Sequence, residues 1–196
     1  MKIYLIDNFD SFTYNLVYEL ESLGHSVVVY RNDLAEGLLF ERMVKEKQKP
    51  LLLISPGPGD PAHSGRLLPL IAQVRGHFGI LGVCLGLQAL AQSYGADIVQ
   101  SPEIMHGKSV RILLEPFEPF EGLGESLQVG RYHSLVASNL PPCLKVIAHY
   151  EGMVMGLYCA KDNALAYQFH PESIMSTQGT RLLKQSLEFL QKNSHD

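Results

Sequence analysis

Apolar positions in the first half of the chain follow two rhythms. Residues 2–6, 25–30, 50–54 and 79–83 form short apolar runs bounded by polar residues, Gly or Pro. Runs of that length predict strands, those at 2–6 and 79–83 buried ones. Between the first two, Phe12, Leu16, Val17, Leu20 and Leu23 recur on one helical face, with Asp10 or Ser11 as a cap and Gly24 as the stop. A second helix is predicted over residues 34–47, and residues 88–94 continue at helical period after the fourth run. Repeated strand-helix-strand units of this size predict an α/β fold with an open, doubly wound, mostly parallel sheet. In such sheets ligands bind beyond the carboxyl ends of the strands.

The pattern changes after Gly95. Residues 98–168 carry short β-rich runs at 110–114, 145–148 and 154–158, broken by Gly and Pro. They predict an antiparallel or mixed β extension without a long helix. A final amphipathic helix is expected to start at residues 176–178 and to bury Leu182, Leu183, Leu187 and Leu190. Residues 193–196 read as a frayed tail.

Composition narrows the function classes. A chain of 196 residues suits one compact domain over residues 1–196. Apolar residues make up 46%, charged residues 18%, and the net charge is −4, which gives no electrostatic case for nucleic acid or an anionic membrane. No apolar run approaches a membrane span, and the opening strand turns polar at Asp7 and Asn8, too soon for a signal-peptide core. Three cysteines without a CxxC, and without metal-like spacing to the eight histidines, predict a reducing cytoplasmic setting and no metal site.

Three stretches carry chemistry. Gly82-Val83-Cys84-Leu85-Gly86-Leu87-Gln88 places a cysteine at the turn between a strand and a helix, the nucleophile-elbow arrangement with Cys in place of Ser. The new helix would aim its free N–H groups at the sulfur and favour thiolate. A buried structural cysteine is the alternative. Ser55-Pro56-Gly57-Pro58-Gly59-Asp60-Pro61 ends the preceding strand, where a glycine N–H could converge with that of Leu85 into an oxyanion hole. Tyr167-Gln168-Phe169-His170-Pro171-Glu172 ends a β-rich run. In extended geometry Glu172 lies on the same side as His170 and can hold one imidazole nitrogen, leaving the other free as a base.

With Asp7-Asn8-Phe9-Asp10-Ser11-Phe12, His106-Gly107-Lys108 and Tyr132-His133-Ser134-Leu135, these motifs resemble the class I (triad) glutamine amidotransferases over essentially the whole chain. Within them, the chain is similar to the small amidotransferase subunits of anthranilate and aminodeoxychorismate synthases, and Gly59 with residues 152–155 points to the anthranilate branch. The resemblance implies a flavodoxin-like fold with Cys84 as nucleophile, His170 as acid/base and Glu172 as its orienter. It implies Gly57 and Leu85 as oxyanion donors, with Gly57, Pro58, Gly59, Gln88, Ser134 and Leu135 around L-glutamine. No cofactor is expected in this chain; Mg²⁺ is expected in the partner, a chorismate-using synthase subunit. Asp10, His106, Gly107 and Lys108 are expected at that interface. Leu87 departs from the branch, which usually has His there, so His170 is left as the base. Two other readings stand: a stand-alone γ-glutamyl cysteine hydrolase, and a non-catalytic regulatory subunit that kept the fold.

Overall fold

The computed structural model describes residues 1–35, 37–103 and 107–194. The parallel half is built from β1 (Lys2–Asp7), α1 (Thr13–Ser22), β2 (Ser26–Arg31), α2 (Leu38–Val44), β3 (Leu51–Ile54), α3 (Leu67–Val74), β4 (Ile80–Val83) and α4 (Leu85–Ser93). There follow β5 (Asp97–Gln100), β6 (Lys108–Leu114), β7 (Ser126–Arg131), β8 (Leu135–Ser138), β9 (Lys145–Tyr150), β10 (Met153–Cys159), β11 (Ala164–Tyr167) and α5 (Gly179–Lys192). The main sheet has the order β2-β1-β3-β4-β11-β10-β9-β6-β7, and β5 pairs with β8 in a separate ribbon. Strands β2, β1, β3, β4 and β11 are parallel, whereas β10, β9, β6 and β7 pair antiparallel. The first five follow the flavodoxin-like order, with the late strand β11 as the fifth. The doubly wound sheet with an antiparallel extension is therefore the observed fold.

Alternation along each strand divides the core in two. Ile3, Leu5, Leu51, Leu53, Leu81 and Val83 face α1 and α5, where Leu16, Leu20, Leu182, Leu183, Leu187 and Leu190 are buried. Tyr4, Ile6, Leu52, Ile54 and Ile80 face α2, α3 and α4. Each leucine of α5 in that set is fully buried, and full burial stabilises by about 1.5–3 kcal/mol per side chain.

Local sequence explains where the elements depart from expectation. The second helix is shorter than residues 34–47, because Gly37 precedes it at φ 79° and the helix begins only at Leu38. Helix α3 was not among the expected elements; Pro69 interrupts its apolar run, yet a proline in the first helical turn forfeits no intrahelical bond. Asp10 accepts a hydrogen bond from the Phe12 backbone N–H at 2.8 Å, just ahead of α1, which itself starts without a side-chain cap. At the other end Ser176–Gln178 form the entry turn, and α5 starts at Gly179, where a Cβ would overlap the Pro171 carbonyl. Asn193 and Ser194 bond back to Phe189 and Leu190 and extend the last turn of α5.

Candidate active site

Four loops meet at the carboxyl ends of the parallel strands, following β1, β3, β4 and β11. Cys84 occupies the turn between β4 and α4 at φ 54° and ψ −102°, a conformation costly for a non-glycine residue. Backbone bonds hold it there. The Cys84 N–H donates to the Tyr167 carbonyl at 2.8 Å, and the Gln88 N–H donates to the Cys84 carbonyl at 3.2 Å. Gly82 and Gly86 make the turn sterically feasible. A Cβ on Gly82 would lie 2.7 Å from the Gly86 carbonyl, and one on Gly86 would lie 2.6 Å from the Ile54 carbonyl. The first turn of α4 thus rests directly on β3 and β4, with its free N–H groups at the sulfur end.

His170 lies three residues beyond β11, where it pairs with Gly130 of β7 in an isolated bridge. The Ser176 hydroxyl, 2.6 Å away, donates to its carbonyl. The imidazole Nδ1 is 2.7 Å from Glu172 Oε1, both side chains being buried. Two aromatic rings meet the imidazole edge-on: Tyr132, with centroids 4.8 Å apart, and Phe12, at 5.3 Å. Nε2 makes no hydrogen bond within the protein. Burial alone would push this histidine down. The nearby Cys84 sulfur and the Glu172 carboxylate together outweigh it, so the His170 pKa stands well above its ordinary value. An imidazolium beside the sulfur is the electrostatic partner of a thiolate.

The loop after β3 is anchored from below. Ser55 Oγ accepts from the Asn8 N–H at 2.9 Å, the Asn8 side-chain amide donates to the Ser55 carbonyl at 2.9 Å, and the Asn32 amide donates to Asn8 Oδ1 at 3.1 Å. All three side chains are buried. This network brings Gly57 against Asn8 and Leu85 so closely that a Cβ would sit 2.5 Å from Asn8 Cβ and 2.6 Å from Leu85 Cδ2. Above it lies a cleft of about 150 Å³ lined by Gly57, Pro58, Gly59, Cys84, Gln88, Tyr132, His133, Ser134 and Leu135. That is smaller than drug-sized sites of roughly 300–1,000 Å³, and it suits an amino acid.

The catalytic and pocket residues expected from sequence thus come together at one place. Gln168, His133 and Arg131, to which the sequence assigns no role, join them. The Gln88 amide donates to the Leu135 carbonyl at 3.0 Å and to Gln168 Oε1 at 3.4 Å. Gln168 in turn donates to Cys84 Sγ at 3.7 Å. His133 Nε2 accepts from Arg131 Nε at 3.0 Å, so its proton sits on Nδ1 and is donated to the Leu135 carbonyl, also at 3.0 Å. Burial, then the Arg131 charge, pushes the His133 pKa down to about 3. This imidazole is therefore neutral throughout the working range.

The expected interface residues fall on the rim. Asp10 belongs to the loop that carries Phe12. A Cβ on Gly107 would touch the Tyr132 ring at 3.3 Å, and exposed Lys108 lies 3.9 Å from Glu103. His106 is outside the described residues. Among the described residues no group of His, Cys, Asp and Glu could hold a metal, and no helix is long and apolar enough to cross a membrane.

Comparison with known proteins places the chain in a family and matches its fold. The family model described as glutamine amidotransferase class-I matches residues 4–189. Anthranilate synthase component 2 of Helicobacter pylori is 59% identical over 191 residues, covering 97% of this chain and 98% of that protein. The protein of the same name from Haemophilus influenzae is 45% identical over 189 residues, 96% of this chain and 97% of that one. Among solved structures, a protein from Thermoplasma acidophilum described as a GMP synthase subunit superposes with a TM-score of 0.85 at 23% identity, covering 97% of this chain and 94% of that chain. A glutamine amidotransferase from Thermotoga maritima gives a TM-score of 0.67 at 17% identity, over 100% of this chain and 86% of that one. These last two share the fold.

Proposed function

Because the chain belongs to the class I glutamine amidotransferase family, we propose that it is the glutaminase subunit of an anthranilate synthase. In this reading the Cys84 thiolate attacks the side-chain amide carbon of L-glutamine, and the N–H groups of Gly57 and Leu85 take up the negative charge on oxygen. His170, held at Nδ1 by Glu172, gives its Nε2 proton to the departing nitrogen. Ammonia leaves and a γ-glutamyl thioester remains on Cys84. The now neutral imidazole accepts a proton from water, the hydroxide adds to the thioester, and glutamate departs as the thiol is restored. Both N–H bonds of the Gln88 amide are engaged by protein oxygens, so its oxygen is left to accept from the substrate's α-ammonium.

Ammonia released into neutral water becomes ammonium, which has no lone pair for attack. Useful delivery therefore requires an acceptor enzyme docked on this chain, and we assign that role to a chorismate-using synthase chain carrying Mg²⁺. The loop bearing Asp10 and the turn at Gly107 and Lys108 are the docking residues in this reading. They lie beside Phe12 and Tyr132, whose rings flank His170. Contact there would reach the acid/base through one layer of side chains. An aminodeoxychorismate synthase partner is the second reading, since acceptor choice lies in the partner; the identity to two component 2 proteins of anthranilate synthase favours the first.

The observation that carries the proposal is Cys84 on the elbow with the bonded His170–Glu172 pair beside it and a small polar cleft in front. The test is Cys84→Ser in the complex with the synthase. Glutamine-dependent anthranilate formation should disappear while the reaction fed with ammonium salt continues. Loss of both would show that Cys84 holds the structure or the interface instead.

A further inference from the structure

The cleft that we assign to glutamine has a charge problem. An amino acid brings an α-carboxylate, yet among the described residues lining the cleft there is no lysine or arginine, and its histidine is neutral. One cation lies immediately behind the wall. Arg131, at the end of β7, is completely buried. No carboxylate among the described residues bonds it: Nε donates to His133, Nη2 lies 3.7 Å from Met153 Sδ, and the guanidinium carbon sits 4.8 Å from the Tyr150 ring centroid. Nη1 is buried without any partner. A buried arginine normally has a carboxylate, because taking the charge out of water costs several kcal/mol. The Glu103 and Glu151 carboxylates act on this charge only across space, without a hydrogen bond or ion pair to it among the described residues, and burial pushes the Arg131 pKa down.

We propose that Arg131 is the specificity-determining cation of the glutamine site. It acts through His133, fixing that ring as the Nδ1–H tautomer that holds the Leu135 carbonyl, and it places positive potential behind the wall that faces the substrate's α-carboxylate. It does not touch substrate, so it is a positioning and electrostatic residue. Both His133 nitrogens are committed, to Arg131 and to Leu135, so the ring transmits the cation's influence without binding substrate through nitrogen. The arrangement orients the zwitterion, with the carboxylate toward the His133 side and the ammonium toward the Gln88 oxygen. An acyl compound lacking the amino-acid end gains nothing from it. The inference rests on the reading of Cys84 as the nucleophile of a glutaminase.

Two electrophiles separate the possibilities in the full chain saturated with its synthase partner. The diazoketone 6-diazo-5-oxo-L-norleucine carries the amino-acid end of glutamine; its diazo carbon takes a proton and loses dinitrogen as the bond to Cys84 forms. Iodoacetamide has no such end and loses iodide. In Arg131→Met, labelling by the diazoketone at limiting concentration should fall about tenfold, the size expected of one buried charge acting across a protein wall at an effective dielectric of about 20. Labelling by iodoacetamide should stay within about twofold of the unmodified chain. Arg131→Lys, which keeps the charge, should recover most of the diazoketone rate. Equal falls with both reagents, no fall with either, or a lysine variant as slow as the methionine one would each overturn the inference. If the diazoketone fails to label even the unmodified chain, the glutaminase reading fails and this inference falls with it.

Discussion

Replacing Gly57 with alanine puts a methyl group where the active site has no room for one. The added Cβ would lie 2.5 Å from Asn8 Cβ and 2.6 Å from Leu85 Cδ2, against ordinary contact distances of about 3.5–4.0 Å. One side of the overlap must therefore retreat by about 1 Å. Asn8 cannot retreat cheaply, since its backbone N–H, its amide and its side-chain oxygen are all bonded to Ser55 or Asn32. Leu85 is buried and carries the second proposed oxyanion N–H. The backbone at 57 and the start of α4 must absorb the shift, and both proposed donors move with them. A misplacement of 1 Å costs on the order of 10²-fold in rate, and the loss of one oxyanion donor costs about 10²–10³-fold. We expect kcat/KM for glutamine to fall by about that factor in the synthase complex. Ammonium-fed synthesis should be unchanged, and Cys84 should still react with iodoacetamide within about twofold, because alkylation builds no oxyanion. Overpacking should also cost about 1–3 kcal/mol of stability, read in urea unfolding. Glutamine turnover within threefold of normal, or an equal loss of iodoacetamide labelling, would refute the reasoning.

Two further outcomes follow from the same geometry. The folded-state pKa of His170 lies above the unfolded value of about 6.5; its protonation therefore stabilises the native chain fully below that pH, and the contribution is lost as pH rises through the raised value. The difference in unfolding midpoint between the unmodified chain and His170→Asn should shrink from pH 6 to pH 9, and a difference that grows would contradict the raised pKa of His170. Gly86→Ala, whose Cβ would meet the Ile54 carbonyl at 2.6 Å, should lower stability by at least about 1–3 kcal/mol, whereas Gly95→Ala, with open space around it but φ 99°, should cost only backbone strain of about 1–2 kcal/mol.

What could be read from sequence was local in sequence. The elbow, the turn after β3 and the His170–Glu172 pair each fit within a few residues, so spacing alone placed each at a strand end. Strands β1, β3 and β4 were legible because burial on both faces makes them unbroken apolar runs, and the edge strand β2 through its three successive valines, although it is only half-buried. The rest depends on contacts between distant segments. Arg131 and Gln168 looked like ordinary polar residues in β-rich stretches; they reach the site because β7 bridges His170 through Gly130 and β11 lies beside β4. Phe12 was counted only as a core residue of α1, yet its ring packs against His170. A buried arginine with no bonded carboxylate leaves no periodic signal at all.

The most direct measurement is mass spectrometry of the synthase complex quenched in acid during glutamine turnover. The account predicts one glutamyl group on the peptide carrying Cys84, absent after chase without glutamine and absent in Cys84→Ser. Steady glutamate formation with the adduct on Cys143 or Cys159, or with no adduct when hydrolysis of the thioester is slowed, would contradict it.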